Sequence, residues 1–197
     1  MGKRRGARLP GRGLYEWVQA LVCSVLTVVV LFTFAVRIIG VSGPSMKETL
    51  QNGDMLLVLD GWLCRGYGRG DIVILQKPGF HSGMPIVKRV IAAAGQTVDI
   101  DFDSGTVYLD GEALQEDYIR EPTFLDEGLE FPLTVPAGCI FVMGDNRNES
   151  DDSRDPDLGP VDVRSVIGRA FLLALPGAAE ETGRRDWSRI GMLNRED

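Results

Sequence analysis

The chain has 197 residues, of which 44% are hydrophobic and 25% are charged, which is enough for one membrane anchor and one globular domain with a real core. The length argues against a second large domain. The net charge of -7 is unevenly divided: five basic residues precede the first apolar run, whereas residues 37–197 carry 16 basic and 27 acidic residues. An acidic folded part argues against nucleic acid as a partner.

A long apolar run follows the basic N-terminus. Residues 18–36 are nineteen residues without a charge, and as a helix they would span roughly 28 Å and match a bilayer core. The sequence therefore predicts a cytoplasmic tail at 1–13 and a single transmembrane anchor at 14–39, with the rest of the chain outside the cytoplasm. A buried core helix and a cleaved signal peptide are the alternatives, although no clear small-x-small cleavage site follows the run.

Short apolar runs separated by turns make up the rest of the chain. They predict strands at 55–59, 71–75, 85–91, 139–143 and 166–175. Asp110-Gly111 is a hairpin turn, which predicts an exposed two-stranded ribbon inserted at about 96–137. The predicted fold class is mainly β: an N-terminal transmembrane helix, an extracytoplasmic antiparallel β domain at 40–176 with the inserted ribbon, and a polar surface tail at 177–197, with or without a short helix.

The cysteine and histidine content gives no indication of a cofactor. Cys23 lies in the apolar run, so Cys64 and Cys139 could form at most one disulfide, and two unpaired thiols are the preferred interpretation. His81 is the only histidine, and no cysteine spacing matches a zinc site. We expect no metal ion and no other cofactor.

Ser45 follows Gly43 and Pro44, two residues that favour a tight turn. Such a turn could present both the serine hydroxyl and its backbone N–H to a bound carbonyl group. A purely structural serine is the alternative, because this short pattern is not specific.

Lys88 lies in a strand-like run next to Arg89. Successive side chains of a strand face opposite ways, so one of the two could point inward while the other remains in solvent. Burial would lower the pKa of an inward lysine, and its free amine could then take a proton from a serine hydroxyl. The alternative is a surface lysine whose stem lies along apolar neighbours.

The segment from Met143 to Arg154 is dense in Gly, Asp, Asn and Ser and contains two arginines. This composition suits a loop held by hydrogen bonds and ion pairs. An acidic surface turn and a weak calcium loop are alternatives, but the EF-hand spacing fails because no glycine stands at the sixth position from Asp145.

Together these segments resemble the bacterial type I signal peptidases, membrane-anchored endopeptidases that use a serine and a lysine. The resemblance runs from the anchor to about Pro176, and four motifs occur in the family's order. They are Ser45-Met46, Arg69-Gly70-Asp71, Lys88-Arg89-Val90-Ile91, and a loop with Gly144, Asp145, Asn146, Arg147, Ser150, Asp152, Ser153 and Arg154.

The resemblance implies a role for each matched residue. Ser45 would attack the scissile carbonyl group and form an acyl-enzyme, with its own N–H as one oxyanion donor. Lys88 would be the general base, and Ser150 would orient its amine. Three further side chains would hold the loop by ion pairs and hydrogen bonds: Asp145, Asp152 and Arg154.

The resemblance also implies substrates and location. Exported preproteins would bind in extended form with small side chains at the first and third positions before the cut, against pocket walls formed by Met46, Leu50 and Val87. The enzyme would be a single-pass membrane protein in contact with lipid, and a monomer would suffice. Eight residues lead from Arg37 to Ser45, so the nucleophile lies within roughly 26 Å of the membrane end of the chain.

The chain departs from the family pattern at three places. Some members carry a serine two positions before the nucleophile as a second oxyanion donor, where this chain has Gly43, and Pro44 has no N–H to offer. The Ser42 side chain could either substitute as the second donor or face away. Glu48 stands where proline is usual. Residues 92–96 differ from the family's usual glycine- and proline-containing loop, so we expect a different loop there.

Two rival hypotheses belong to other classes. One is a Ser-His-Asp hydrolase that uses His81, although a lone histidine in a Gly- and Pro-rich segment is more typical of a solvated loop. The other is a membrane-anchored β domain that only binds peptides, or a catalytically dead relative. The presence of Ser45, Lys88 and Ser150 together favours a catalytic chain.

Overall fold

The computed structural model describes residues 12–179 and 182–193, so most of the predicted cytoplasmic tail lies outside the described residues. The chain divides into two compact units, Met1–Val36 and Arg37–Asp197. The first contains the helix α1, Arg12–Phe34. Over Gly13–Phe34 this helix is long and apolar enough to cross a membrane, and its apolar side chains are exposed.

The rest of the structure is mainly β. The strands are β1 (Val36–Gly40), β2 (Met55–Asp60), β3 (Ile72–Leu75), β4 (Ile86–Ala93), β5 (Thr97–Asp101), β6 (Thr106–Leu109), β7 (Glu112–Ala113), β8 (Leu133–Thr134), β9 (Cys139–Met143), β10 (Val161–Asp162), β11 (Val166–Leu175) and β12 (Gly191–Met192). An eight-stranded sheet has the order β1-β2-β11-β3-β4-β9-β10, with β12 beside β11. The pairings from β2 across to β10 are antiparallel, which confirms the predicted fold class.

Strand patterning follows burial. Inner and outer positions alternate along β2, so that Leu56 and Val58 are fully buried while their neighbours are half-buried. All four residues of β3 are buried, as expected for a central strand covered on both faces. The apolar runs that predicted β2, β3, β4, β9 and β11 therefore correspond to the strands of the main sheet.

The inserted segment forms a second sheet of four strands in the order β7-β6-β5-β8. Asp110 (φ +53°) and Gly111 (φ +86°) form the two-residue turn between β6 and β7, as the sequence predicts. The hairpin is extended by β5 and β8, and it is only partly exposed. Val98 and Val107 pack with Phe141 of the main sheet in one apolar cluster, because one face of the small sheet is apolar.

The C-terminal segment, predicted to be a polar surface tail, is tied to the main sheet. Trp187–Arg189 forms one short 3₁₀ helix, after which β12 pairs with β11. Arg189 Nη2 lies 2.7 Å from Asp54 Oδ2, and Asp54 is fully buried. A buried carboxylate needs such a partner, and the sequence alone did not indicate this pairing.

Candidate active site

A tight turn after β1 presents Ser45. Gly43 has a left-handed backbone (φ +95°), which glycine adopts without a steric penalty, and the Lys47 N–H donates to the Pro44 carbonyl at 3.0 Å. The next side chain, Met46, is buried in the core. Ser45 is half-buried, so its hydroxyl is held at the surface by a turn that the core anchors.

Residues 144–154, called the 144–154 loop below, fix this turn from one side. The Asn146 N–H donates to the Ser45 carbonyl at 3.0 Å, and Asn146 Nδ2 donates to the Pro44 carbonyl at 3.2 Å. A Cβ atom on Gly144 would lie 2.5 Å from the Ser45 carbonyl oxygen and 2.6 Å from Ser150 Cβ. Glycine at 144 is therefore what allows the loop to approach Ser45 so closely.

Lys88 on β4 is buried, with 3% of its surface exposed. Its Nζ donates to Ser150 Oγ at 3.0 Å, and Ser150 Oγ donates to Asp152 Oδ2 at 2.8 Å. Burial lowers the pKa of the Lys88 amine, while the negative charges of Asp152, Asp151 and Glu127 oppose that shift. This burial does not fit the surface-lysine interpretation.

Arg89 corrects one expectation from the sequence. Strand alternation placed either Lys88 or Arg89 in solvent, but Arg89 is only 2% exposed. Its Nε and Nη2 donate to the two carboxylate oxygens of Asp145, both at 2.8 Å, and its Cζ lies 4.0 Å from the centre of the Tyr118 ring. Both faces of β4 are covered, so the arginine is buried and paired instead of solvated.

The 144–154 loop is closed by a second ion pair, between Asp152 and Arg154. Arg154 Nε and Nη2 both donate to the carboxylate at 2.9 Å, and the Gly144 N–H donates to Asp152 Oδ2 at 2.9 Å. Burial alone would raise the pKa of Asp152, but the hydrogen bonds and charge of Arg154, with the charge of Lys88, hold it below its usual range. Asp152 therefore stays ionised and acts as a fixed acceptor for Ser150.

Two acidic residues that sequence reasoning missed complete these pairs. Arg147 Nη2 binds the carboxylate of Glu116, and Arg154 Nη2 lies 2.8 Å from Glu127 Oε1. Both acidic side chains come from the inserted segment. No local signal in the sequence indicates these two partners, because residues 143–154 already contain four acidic residues for their two arginines. Calcium binding by this loop does not fit, since Asp145 and Asp152 are taken by arginines.

A groove of about 440 Å³ connects Ser45 and Lys88, which both line it. Met46 and Val87, two of the predicted pocket walls, also line it. The third, Leu50, is fully buried in the core and is not among the lining residues. Within residues 12–179 and 182–193, no cluster of three or more His, Cys, Asp or Glu side chains is arranged to hold a metal ion.

His81 lies at the rim of the same groove. Its Nε2 is 3.0 Å from Asp151 Oδ2, and the two side chains are 40% and 65% exposed. The pair is thus a solvated contact on the loop side of the groove. Cys64 and Cys139 are half-buried free thiols outside it.

Comparisons with known proteins identify the class of protein. The family model described as "Signal peptidase, peptidase S26" matches residues 14–175. A signal peptidase I of Bacillus licheniformis is 36% identical over 171 residues, covering 83% of this chain and 89% of the relative. A probable signal peptidase I-1 of Synechocystis is 32% identical over 189 residues, covering 92% and 89%.

A solved signal peptidase I of Enterococcus faecalis is 37% identical, covers 53% of this chain and 97% of its own, and superposes with a TM-score of 0.44. With the family model spanning most of the chain, the chain belongs to the signal peptidase family, peptidase S26. It is a membrane-anchored serine endopeptidase that removes signal peptides.

Proposed function

We propose that this chain cleaves signal peptides with Ser45 as nucleophile and Lys88 as general base, through an acyl-enzyme. The observation that carries the proposal is the buried Lys88 amine, which lines the same groove as Ser45 and donates to Ser150. Burial favours the neutral amine, and only the neutral amine can accept a proton.

The chemistry follows from these groups. Lys88 Nζ takes the proton of the Ser45 hydroxyl as Oγ attacks the scissile carbonyl carbon, and then gives that proton to the leaving amine as the C–N bond breaks. The neutral amine next activates the water that hydrolyses the ester. The Gly43 N–H donates to Asn52 Oδ1 at 3.3 Å and Pro44 has no N–H, so the Ser45 N–H is the backbone oxyanion donor that this turn offers. Ser42, which lines the groove, is the candidate for a second donor.

The remaining parts of the proposal concern substrate and location. The groove is lined by apolar side chains, including Met46 and Val87, which suits preproteins with small residues at the first and third positions before the cut. We assign residues 1–13 to the cytoplasm and the β domain to the outside, with membrane lipid around α1. One chain contains the whole groove, so a monomer suffices. The excess of acidic over basic residues in the β domain argues against nucleic acid as a partner.

Ser45→Ala is expected to lower cleavage of a preprotein with an Ala-x-Ala site by at least about 10³-fold, because no oxygen remains to attack the carbonyl group. The measurement is single-turnover cleavage by the full chain in detergent micelles, with the cut site located by mass spectrometry. Ser104→Ala, on an exposed serine in the turn between β5 and β6 that does not line the groove, is the matched control. Equal cleavage by wild type and Ser45→Ala would contradict the proposed nucleophile.

The contact between His81 and Asp151 favours one alternative, a base built on histidine, because the pair lines the same groove as Ser45. Under the lysine mechanism, His81→Gln is expected to lower kcat/KM by less than about tenfold, since glutamine can keep a hydrogen bond to Asp151 but cannot act as a base. The same single-turnover measurement decides. A loss as large as that of Ser45→Ala would favour the histidine mechanism.

A further inference from the structure

Two carboxylates of the inserted segment reach the buried arginines of the 144–154 loop. Glu116 binds Arg147 and Glu127 contacts Arg154, with the arginines fully buried and the glutamates 5% and 9% exposed. The first pair holds Arg147, whose Nε donates to the Gly144 carbonyl at 3.1 Å. The second pair connects Glu127 to Arg154, whose partner Asp152 accepts a hydrogen bond from Ser150 beside the Lys88 amine.

Glu127 contacts both members of the Asp152–Arg154 pair. Its Oε1 lies 2.8 Å from Arg154 Nη2, and its Oε2 accepts a hydrogen bond from the Asp152 N–H at 3.2 Å. Arg154 Nη2 directs its hydrogens to Asp152 and to the carbonyls of Arg147 and Ser150, so no donor in the described part of the chain is aligned on Oε1. Glu127 therefore interacts with Arg154 through charge and proximity.

A short path leads from this carboxylate to the amine of Lys88. Asp152 accepts a hydrogen bond from the Ser150 hydroxyl at 2.8 Å, and the hydroxyl oxygen accepts one from Lys88 Nζ at 3.0 Å. A shift of the Asp152 carboxylate would move Ser150 and leave the amine without its acceptor. Glu127 holds the backbone and the ion-pair partner of Asp152, so it controls this geometry without touching substrate.

The charge of Glu127 is not balanced by the charges around it. Asp152 and Arg154 cancel, so with Lys88 neutral an ionised Glu127 leaves one uncompensated negative charge in a nearly buried cluster. Asp151, which His81 contacts at the rim, adds a further negative charge facing Lys88. Burial, and then the charge of Asp152, raises the pKa of Glu127 to about 7, whereas Arg154 acts in the opposite direction.

We infer that Glu127 is a positioning residue for the proposed Ser45–Lys88 chemistry: it holds the Asp152–Arg154 pair and, through its charge, sets the lower pH limit of cleavage. The inference rests on the proposed function. An ionised Glu127 stabilises the proton on Lys88 and so keeps the inactive ammonium form to higher pH. A neutral side chain at this position favours the free amine.

The test compares Glu127→Gln with Glu130→Gln, an exposed glutamate of the same segment. We measure kcat/KM of the full chain in detergent micelles on the Ala-x-Ala preprotein from pH 5 to 9. In Glu127→Gln the acidic limb of the profile is expected to move to lower pH by up to about one unit, because a negative charge near Lys88 is removed over the pH range, at and above about 7, in which Glu127 is ionised. The Glu130→Gln profile is expected to superimpose on that of wild type. If Glu127 only stabilised the fold, its replacement would lower kcat/KM by the same factor at every pH and would leave the acidic limb in place.

A second readout does not depend on cleavage. Of the two forms of an amine, brief labelling with acetic anhydride modifies only the neutral one, and the acetylation of Lys88 is followed against pH by peptide mass spectrometry. The labelling midpoint of Glu127→Gln is expected below that of wild type. An unchanged midpoint in the folded variant would overturn the inference. If folded wild type cleaves no signal peptide, the proposed function fails, and the labelling midpoint still decides the role of Glu127.

Discussion

Lys88→Met is expected to abolish signal peptide cleavage while raising the stability of the folded chain. Methionine is apolar and close in length to lysine, so it fills the same buried space on β4 without an amine. The general base is lost, which is expected to lower kcat/KM by at least about 10²-fold. A Lys88→Met variant with wild-type cleavage would show that lysine is not the base.

The gain in stability follows from the pKa of Lys88, which burial lowers below that of the unfolded chain. Below the ordinary lysine pKa the unfolded chain binds a proton that the folded chain binds less readily, so the wild type loses stability as pH falls. The penalty is complete below the folded-state pKa. Lys88→Met removes it, so the advantage in thermal midpoint is expected to grow from pH 9 to pH 6. The activity of the wild type is also expected to fall as the pH is lowered, because the Lys88 amine becomes protonated.

Arg89→Met is the matched contrast, because it changes the next residue of the same strand. Arg89 binds Asp145 through two hydrogen bonds, and both are buried. Its removal leaves a buried carboxylate unpaired, at a cost of about 3–5 kcal/mol. The two neighbouring substitutions are thus expected to shift stability in opposite directions, since one removes an ionisable amine that burial penalises and the other removes half of an ion pair.

The sequence indicated the main sheet and the proposed reacting groups for different physical reasons. Apolar runs such as 139–143 predicted strands because burial on a sheet demands them, and Asp110-Gly111 predicted a turn because both residues tolerate a positive φ. Ser45 and Lys88 were indicated by short motifs. Each of these signals is local, so one stretch of chain contains it.

The partners of the buried charges could not be predicted in the same way. Glu116 and Glu127 lie far along the chain from the arginines that they contact, and many exposed acidic residues share their segment. Their pairing depends on how the inserted sheet packs over Phe141, a tertiary event with no local pattern. The inward position of Arg89 has the same origin, because alternation along β4 specifies two faces but not that both are covered.

Gly144→Ala is expected to lower cleavage by about 10²-fold or more. The folded state is expected to remain stable enough to be assayed. The added methyl group would lie 2.5 Å from the Ser45 carbonyl oxygen and 2.6 Å from Ser150 Cβ, so the 144–154 loop or the Ser45 turn must move. A displacement of about 1 Å between reacting groups is enough for a loss of this size. The same displacement lengthens the hydrogen bonds from Asn146 to Ser45 and from Gly144 to Asp152.

Gly168→Ala separates this loss of geometry from a general loss of packing. A methyl group on Gly168 would lie 2.7 Å from Val58 Cγ1 and closer still to the Leu59 carbonyl oxygen, a comparable clash at a position that does not line the groove. Both variants are expected to lose about 1–3 kcal/mol by chemical unfolding, as overpacked sites do. Only Gly144→Ala is expected to lose cleavage per folded molecule, since only there does the clash fall between the proposed nucleophile and the residue that orients the base. Equal activity of the two folded variants would mean that the position of the loop does not control the reaction.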